Sequence, residues 1–193
     1  MAPKALPSQE VLRQLLDHDP ETGALRWKER SPEWFPPDCR MGPQTTAAWW
    51  NKRFSGNPAF CRKEIHGHLV GTIFGERYKA HRIIWKIVHG VDPVGEIDHI
   101  NGNPADNRLI NLREATTQEN CRNRKSRSGS SSGYRGVSWN KSCQRWCAAI
   151  GAPGVPGHIG LFDDEKEAAM AYDAAASRHF GDFARLNFPE SHQ

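Results

Sequence analysis

Apolar residues recur at two periods along this chain, and the switches between them mark out its elements. Val11, Leu12, Leu15 and Leu16 fall at helical spacing, so the chain should open with a short amphipathic helix. Asp19-Pro20-Glu21-Thr22-Gly23 reads as a turn. After it, Leu25 and Trp27 alternate with Arg26 and Lys28 as in a strand. Residues 31–60, rich in Pro, Trp and Gly, follow neither period. His68–Ala80 has the pattern of a hairpin with Gly75-Glu76 near its turn. Ala80, Ile83, Ile84, Ile87 and Val88 then form one helical stripe, which Gly90 stops. Glu96–Ile100 reads as a short strand, Asn101-Gly102-Asn103-Pro104 as a turn or loop, and Leu112-Arg113-Glu114 as the returning strand. Thr116 with Glu119 is a capping box, which starts another helix.

A Ser/Gly stretch at 128–133 separates this body from a second pattern. Tyr134–Trp139 alternates, and Arg145–Ile150 and Gly157–Phe162 read as two further strands. Asp163-Asp164 stands where the N-cap of a helix over Glu165–Phe180 belongs. Ala168, Tyr172, Ala175, Ala176 and His179 line one side of that helix, and small residues there let it lie close on a sheet. The fold class expected is α+β: a mixed body, a flexible linker, and a three-stranded antiparallel sheet packed on one helix. The divisions predicted are 1–67, an α+β region of uncertain role; 68–125, a strand–loop–strand–helix domain; 126–133, a basic Ser/Gly linker; and 134–189, the sheet-and-helix unit.

Composition narrows the classes. Of 193 residues, 37% are hydrophobic and 25% charged, which suits a soluble globular protein. No apolar run approaches the roughly 18 residues that span a bilayer, and the N-terminus lacks the pattern of a secretory signal. A cytoplasmic protein without a membrane partner is expected. Cys39, Cys61, Cys121, Cys143 and Cys147 contain no Cys-x-x-Cys pair, so reduced thiols are expected rather than a cysteine zinc site. A net charge of +4 permits a nucleic-acid partner. Arg122, Arg124, Lys125 and Arg127, with no acidic residue between Cys121 and Gly133, point to phosphates, although a solvated linker has the same composition.

The chemistry gathers in residues 96–123, EIDHINGNPADNRLINLREATTQENCRN. Hydrolysing a phosphodiester needs an activated water, stabilisation of charge at phosphorus, and help for the leaving oxygen; a hard divalent cation with oxygen ligands supplies the last two. Asp98 and the amide of Asn120 offer such oxygens. His99 follows Asp98 on a strand and so points to the other face, where it can act as general base with an intrinsic pKa near neutrality. Asn111 could fix the imidazole or the surrounding loop. Asn107 reads as an Asx-turn residue, His81 as a helix cap or phosphate contact, and His66, His68 and His89 as surface or packing residues.

The spacing His99–Asn111–Asn120, with Ala80-His-Arg-Ile-Ile-Trp85, Asp98-His-Ile-Asn-Gly102, Asn-Leu-Arg113 and Glu-Asn120, resembles the HNH endonuclease family in its phage and intron homing branch. The resemblance covers about residues 68–125. It implies a ββα-metal fold, one magnesium or manganese ion held by Asp98 and Asn120, His99 as general base and Asn111 orienting it. No small-molecule cofactor is implied. Tyr134-Arg-Gly-Val137, Lys141, Arg145-Trp146, Gly160-x-Phe162, Glu167-Ala-Ala169, Ala171-Tyr-Asp-Ala-Ala175 and Leu186-Asn-Phe-Pro189 resemble the APETALA-type (ethylene-response-factor) DNA-binding domain. That resemblance implies a sheet laid in the major groove, with Arg135, Trp139, Lys141, Arg145 and Trp146 as DNA contacts. Ser138, Pro156 and His158 depart from that family's base-reading residues. The function expected is a site-recognising, metal-dependent endonuclease on double-stranded DNA, nicking or cutting both strands, as a monomer or homodimer, in a host cytoplasm if phage-encoded. The alternative is a DNA-binding transcriptional regulator with an inactive nuclease domain.

Overall fold

The computed structural model describes residues 5–122, 131–151 and 157–189, in two compact units, Met1–Ala115 and Thr116–Gln193. In the first unit, helix α1 (Gln9–Leu15) is capped by Ser8, whose side chain accepts from the Val11 amide. It buries Leu12 and Leu15 completely. Strands β1 (Leu16–Asp19) and β2 (Ala24–Trp27) form an antiparallel hairpin. The turn between them is held by the Asp19 carboxylate, which accepts from the Glu21 and Thr22 amides.

The aperiodic stretch contains helix α2 (Pro43–Phe54), and β3 (Pro58–Ala59) then pairs with β2. Helix α2 buries Ala47 alone, so it carries no apolar stripe to announce it. It is fastened instead by polar and cation–π contacts. Asn51 clasps the Arg30 backbone, accepting from its N–H at 2.9 Å and donating to its carbonyl at 3.0 Å. The Arg30 guanidinium lies 4.0 Å from the Trp50 ring centroid and 5.0 Å from that of Trp27.

Strands β4 (Arg62–Lys63), β5 (Leu69–Ile73) and β6 (Glu76–Lys79) make the second antiparallel sheet of this unit, in the order β4-β5-β6. Helix α3 (Ala80–His89) follows directly and ends on Gly90 in the left-handed conformation. It buries Ala80, Ile83, Ile84 and Ile87 of the predicted stripe and His81 besides, while Val88 is half-buried against the core. Strands β7 (Glu96–His99) and β8 (Leu112–Ala115) pair antiparallel, with Asp98 opposite Arg113 and His99 opposite Leu112. One apolar cluster runs from Leu12, Leu15 and Leu25 through Phe60, Ile73, Ile83 and Ile84 to Ile97 and Leu112. Residues before position 67 therefore build a wall of the same core that backs the β7–β8 hairpin.

The second unit begins with helix α4 (Thr117–Arg122), which carries the capping box: the Glu119 carboxylate accepts from the Thr116 N–H, and the Glu119 N–H donates to the Thr116 hydroxyl. Strands β9 (Val137–Asn140), β10 (Arg145–Ala149) and β11 (His158–Phe162) form an antiparallel sheet with β10 central. Helix α5 (Glu165–Phe180) is N-capped by Asp164, which accepts from Lys166 and Glu167. It buries Ala168, Ala169, Tyr172 and Ala176 beside Val137, Ala148 and Ile150 of the sheet region. The predicted stripe thus holds at Ala168, Tyr172 and Ala176, Ala175 is half-buried and His179 is exposed. Asp173, also buried, accepts from the Asn187 and Phe188 amides and from the Asn187 side chain, while the Asn187 side chain brackets the Arg135 backbone. Among the described residues no helix is long and apolar enough to cross a membrane.

Candidate functional site

The β7–β8 hairpin and its connecting loop place three of the predicted site residues in the first unit. Strand alternation sends Asp98 and His99 to opposite faces of β7, and both are buried. Asp98 meets its cross-strand partner: Arg113 Nε and Nη2 both donate to Asp98 Oδ2, at 2.9 and 2.7 Å. His99 Nε2 lies 3.1 Å from Oδ1 of Asn107, whose side chain is almost fully buried at 1% exposure. With the amide oxygen facing it, Nε2 carries the proton and Nδ1 holds the lone pair. Burial holds His99 below the ordinary imidazole pKa, against the Asn107 hydrogen bond and the charges of Asp98 and Asp106, which raise it. His99 is therefore neutral at neutral pH and able to accept a proton.

Of the two jobs open to Asn111, the imidazole or the surrounding loop, its hydrogen bonds are those of the second. Its Oδ1 accepts from the Asn101 N–H at 2.9 Å, and its Nδ2 donates to the Asp106 carbonyl at 2.7 Å and to Asn101 Oδ1 at 3.1 Å. It closes the 100–111 loop. Arg108 grips the Asp106 carboxylate through Nε and Nη2, which holds that carboxyl well below its usual range. The Asx turns of this loop belong to Asn101, Asn103 and Asp106, which accept from the amides two residues on. Asn107, expected among them, instead turns inward to the imidazole.

Two histidines whose positions show no motif spacing also join the site. His81, expected to cap α3 or touch phosphate, is only 4% exposed and makes no cap; Lys79 is the N-cap residue and has no side-chain cap bond. His68, expected at the surface or in packing, enters from the turn before β5. Ring centroids are 5.0 Å apart for His68–His81, 5.6 Å for His68–His99 and 5.0 Å for His81–His99. One nitrogen of each lies within 4.8 Å of the others. Burial pushes His68 down to about 4 and His81 further still. The signal available in sequence was weak, because three histidines spread over more than thirty positions have no motif spacing.

Asn120 lies on α4 in the second unit. Arg122 ends that helix, and Arg124 and Lys125 lie outside the described residues. On the sheet of the second unit, register decides which candidate contacts face outward. Trp139 pairs with Trp146, and Val137 with the fully buried Ala148, so both tryptophans lie on the helix-facing side. Their rings meet edge to face at 5.0 Å, and Trp146 packs on the apolar cluster. Arg145 lies on the opposite face with Cys147 and Asn140, its guanidinium on Asp163 at 2.7 and 3.0 Å. Lys141 is exposed in the β9–β10 turn. Arg135 Nε donates to the Tyr172 hydroxyl at 3.0 Å, so this side chain also braces α5.

Residues 78–122 match the HNH endonuclease family. Protein 3.8 of Escherichia phage T7 is 37% identical over 113 residues, which are 56% of this chain and 93% of that protein. An uncharacterised HNH endonuclease of Acanthamoeba polyphaga mimivirus is 34% identical over 123 residues, covering 63% of each chain. An ethylene-responsive transcription factor of Arabidopsis thaliana is 43% identical over 60 residues in the C-terminal part, 30% of this chain and 33% of that protein. No solved structure matches significantly.

Proposed function

The chain belongs to the HNH endonuclease family, and on that premise we propose that it is a metal-dependent DNA endonuclease of the homing type in which His99 is the general base. The observation that carries this reading is a neutral imidazole at the end of β7 with its tautomer fixed by a buried amide. In the proposed reaction His99 Nδ1 takes the proton of the attacking water. Asn107 holds the ring in the accepting tautomer, and its carbonyl oxygen stabilises the imidazolium that forms. Asn111 keeps the loop that carries Asn107 closed.

Asp98 and Asn120 are the oxygen donors that would hold a magnesium or manganese ion, which would polarise the phosphate and steady the leaving oxygen. A buried carboxylate suits a hard cation. Asp98 is balanced at present by a cation of the protein's own, Arg113, so a metal would have to share or displace that partner.

The C-terminal sheet is the proposed addressing unit for double-stranded DNA. The likeness to a plant transcription factor supports this, as does the outward face bearing Arg145 and Asn140 with Lys141 in the adjoining turn. Arg122, Arg124 and Lys125, in the basic run of the sequence, would add phosphate contacts. Trp146, packed on the apolar cluster, is better placed to hold the sheet on its helix than to read bases, whereas Trp139 stays 38% exposed beside it and open to a DNA contact, and Arg135 would reach DNA only by leaving Tyr172.

Relaxation of supercoiled plasmid in magnesium or manganese, with and without EDTA, tests the reading. His99→Ala should bind DNA and lose about two to four orders of magnitude in cleavage rate. Wild-type cleavage by that variant would remove His99 from the mechanism. Binding without cleavage by the wild-type protein, on its own target and in every metal tried, would favour the regulator.

A further inference from the structure

Three imidazoles converge in the first unit where the proposed reaction needs one. His81 is more than nine-tenths buried, and its Nδ1 finds no hydrogen-bond partner; the buried Nδ1 of half-buried His68 finds none either. An unmet buried polar atom is destabilising, so two in one cluster call for a reason. Mutual hydrogen bonding is not the reason, since both atoms are unpartnered. The residues come from three separate elements: the turn before β5, the first turn of α3, and the end of β7. The apolar core of the unit fixes all three elements, so the cluster is part of the fold rather than a chance meeting of surface side chains.

We propose that His68, His81 and His99 form a zinc-class metal site that switches the nuclease off by taking its base as a ligand. The switching role rests on the reading of His99 as general base, whereas metal binding does not. Three neutral nitrogens are the donor set of zinc, nickel or cobalt and a poor one for magnesium, which demands oxygen. A tetrahedral zinc with Zn–N near 2.0–2.1 Å needs nitrogens about 3.4 Å apart. The observed limit of 4.8 Å reaches that spacing by modest side-chain rotation. Because burial keeps His68 and His81 unprotonated at neutral pH, protons do not compete for the site there. A lone pair given to a metal cannot accept a proton from water, so occupancy and catalysis by His99 exclude each other.

The test uses the full chain with zinc and cobalt as probes. Dialysis and metal analysis should find one zinc per chain in the wild type, and cobalt should give visible d–d bands that excess magnesium does not remove. His68→Gln and His81→Gln should each weaken zinc by about a hundredfold and abolish the cobalt bands. Should buried His81→Gln fail to fold, the half-buried His68→Gln decides the matter. Zinc should inhibit wild-type cleavage in magnesium, and His68→Gln should escape that inhibition relative to its own magnesium rate. No zinc binding by the wild type overturns the proposal and leaves the general-base reading standing. Zinc that binds without inhibiting, or that supports cleavage by itself, overturns the switch. His99→Ala that still cuts overturns the general-base reading, while loss of cobalt bands in the histidine variants would still report the metal site.

Discussion

Replacing Asn107 by Asp tests the clamp on His99 through a shift of pH dependence rather than a simple loss. In the wild type the imidazole sits below its ordinary pKa of 6.5 because burial outweighs the groups that favour its charged form. The acid limb of the cleavage rate should therefore fall below pH 6.5. Asn107 Oδ1 is 3.1 Å from His99 Nε2, and the two residues are 1% and 5% exposed, so solvent screens a charge placed there poorly. An opposite charge within about 4–6 Å raises a pKa by about 1–3 units, or roughly 1.4–4 kcal/mol in favour of the imidazolium. The base must be neutral to work, so a raised pKa lowers activity on the acid side and restores it at higher pH. At one pH unit below the new pKa, about nine-tenths of the base is protonated, a roughly tenfold loss from the plateau. Asn107→Ala supplies the contrast. It removes the bond without adding charge, so its rate should drop at every pH with no upward move of the limb. The assay is nicking of supercoiled plasmid, under single-turnover conditions, from pH 5 to 9. An acid limb for Asn107→Asp that coincides with the wild-type limb would show that this residue does not govern the base.

Three other outcomes follow from the packing. Gly23, at φ +68°, lies so close to the loop that an added Cβ would come within 2.3–2.5 Å of the Asn107–Arg108 backbone, so Gly23→Ala should displace Asn107, lowering both the melting temperature and the cleavage rate although residue 23 carries no reactive group. Arg113→Met removes the cation paired with the buried Asp98 carboxylate and should destabilise the protein by about 3 kcal/mol in denaturant titration, with Asp98→Leu added in the same chain recovering most of the loss. His68, His81 and His99 all have lowered pKa values in the folded protein, so the unfolded chain binds more protons below pH 6.5; stability should be full above that pH and fall as the pH drops towards 4, seen as falling thermal midpoints that flatten in His68→Gln.

The elements with a clean period were legible, and those held by other forces were not. The stripe on α3, the Thr116–Glu119 capping box and the Asp164-capped α5 all follow from side chains that act within a few residues of one another. Helix α2 has one buried residue, and a cation between two indoles carries no period. The same distinction divides the site. Asp98, His99 and Asn111 stand in one short block whose spacing can be read directly. Asn107 stands in that block too, but whether its amide turns outward into an Asx turn or inward to an imidazole depends on the space available in the fold. His68 and His81 are joined to His99 only by the packing of β5, α3 and β7.

That dependence on packing gives residues 1–67 a role which their sequence does not show. Leu12, Leu15 and Leu25 complete the core behind α3 and β7, while the Asp19–Gly23 turn lies against the backbone of Asn107 and Arg108. Gln9 and Arg13 of α1 also donate to the Ile87 carbonyl in the last turn of α3. The helix bearing His81 and the loop bearing Asn107 are thus both fixed by the N-terminal segment. A general base gains from such rigidity, since a misaligned proton acceptor loses rate steeply. The same rigidity holds two further imidazoles within ligand distance of that base. A fold that fixes His99 for proton transfer by burying it among other histidines also makes it available to any metal that prefers nitrogen, so the exposure of the nuclease to zinc arises from the packing that prepares it for catalysis.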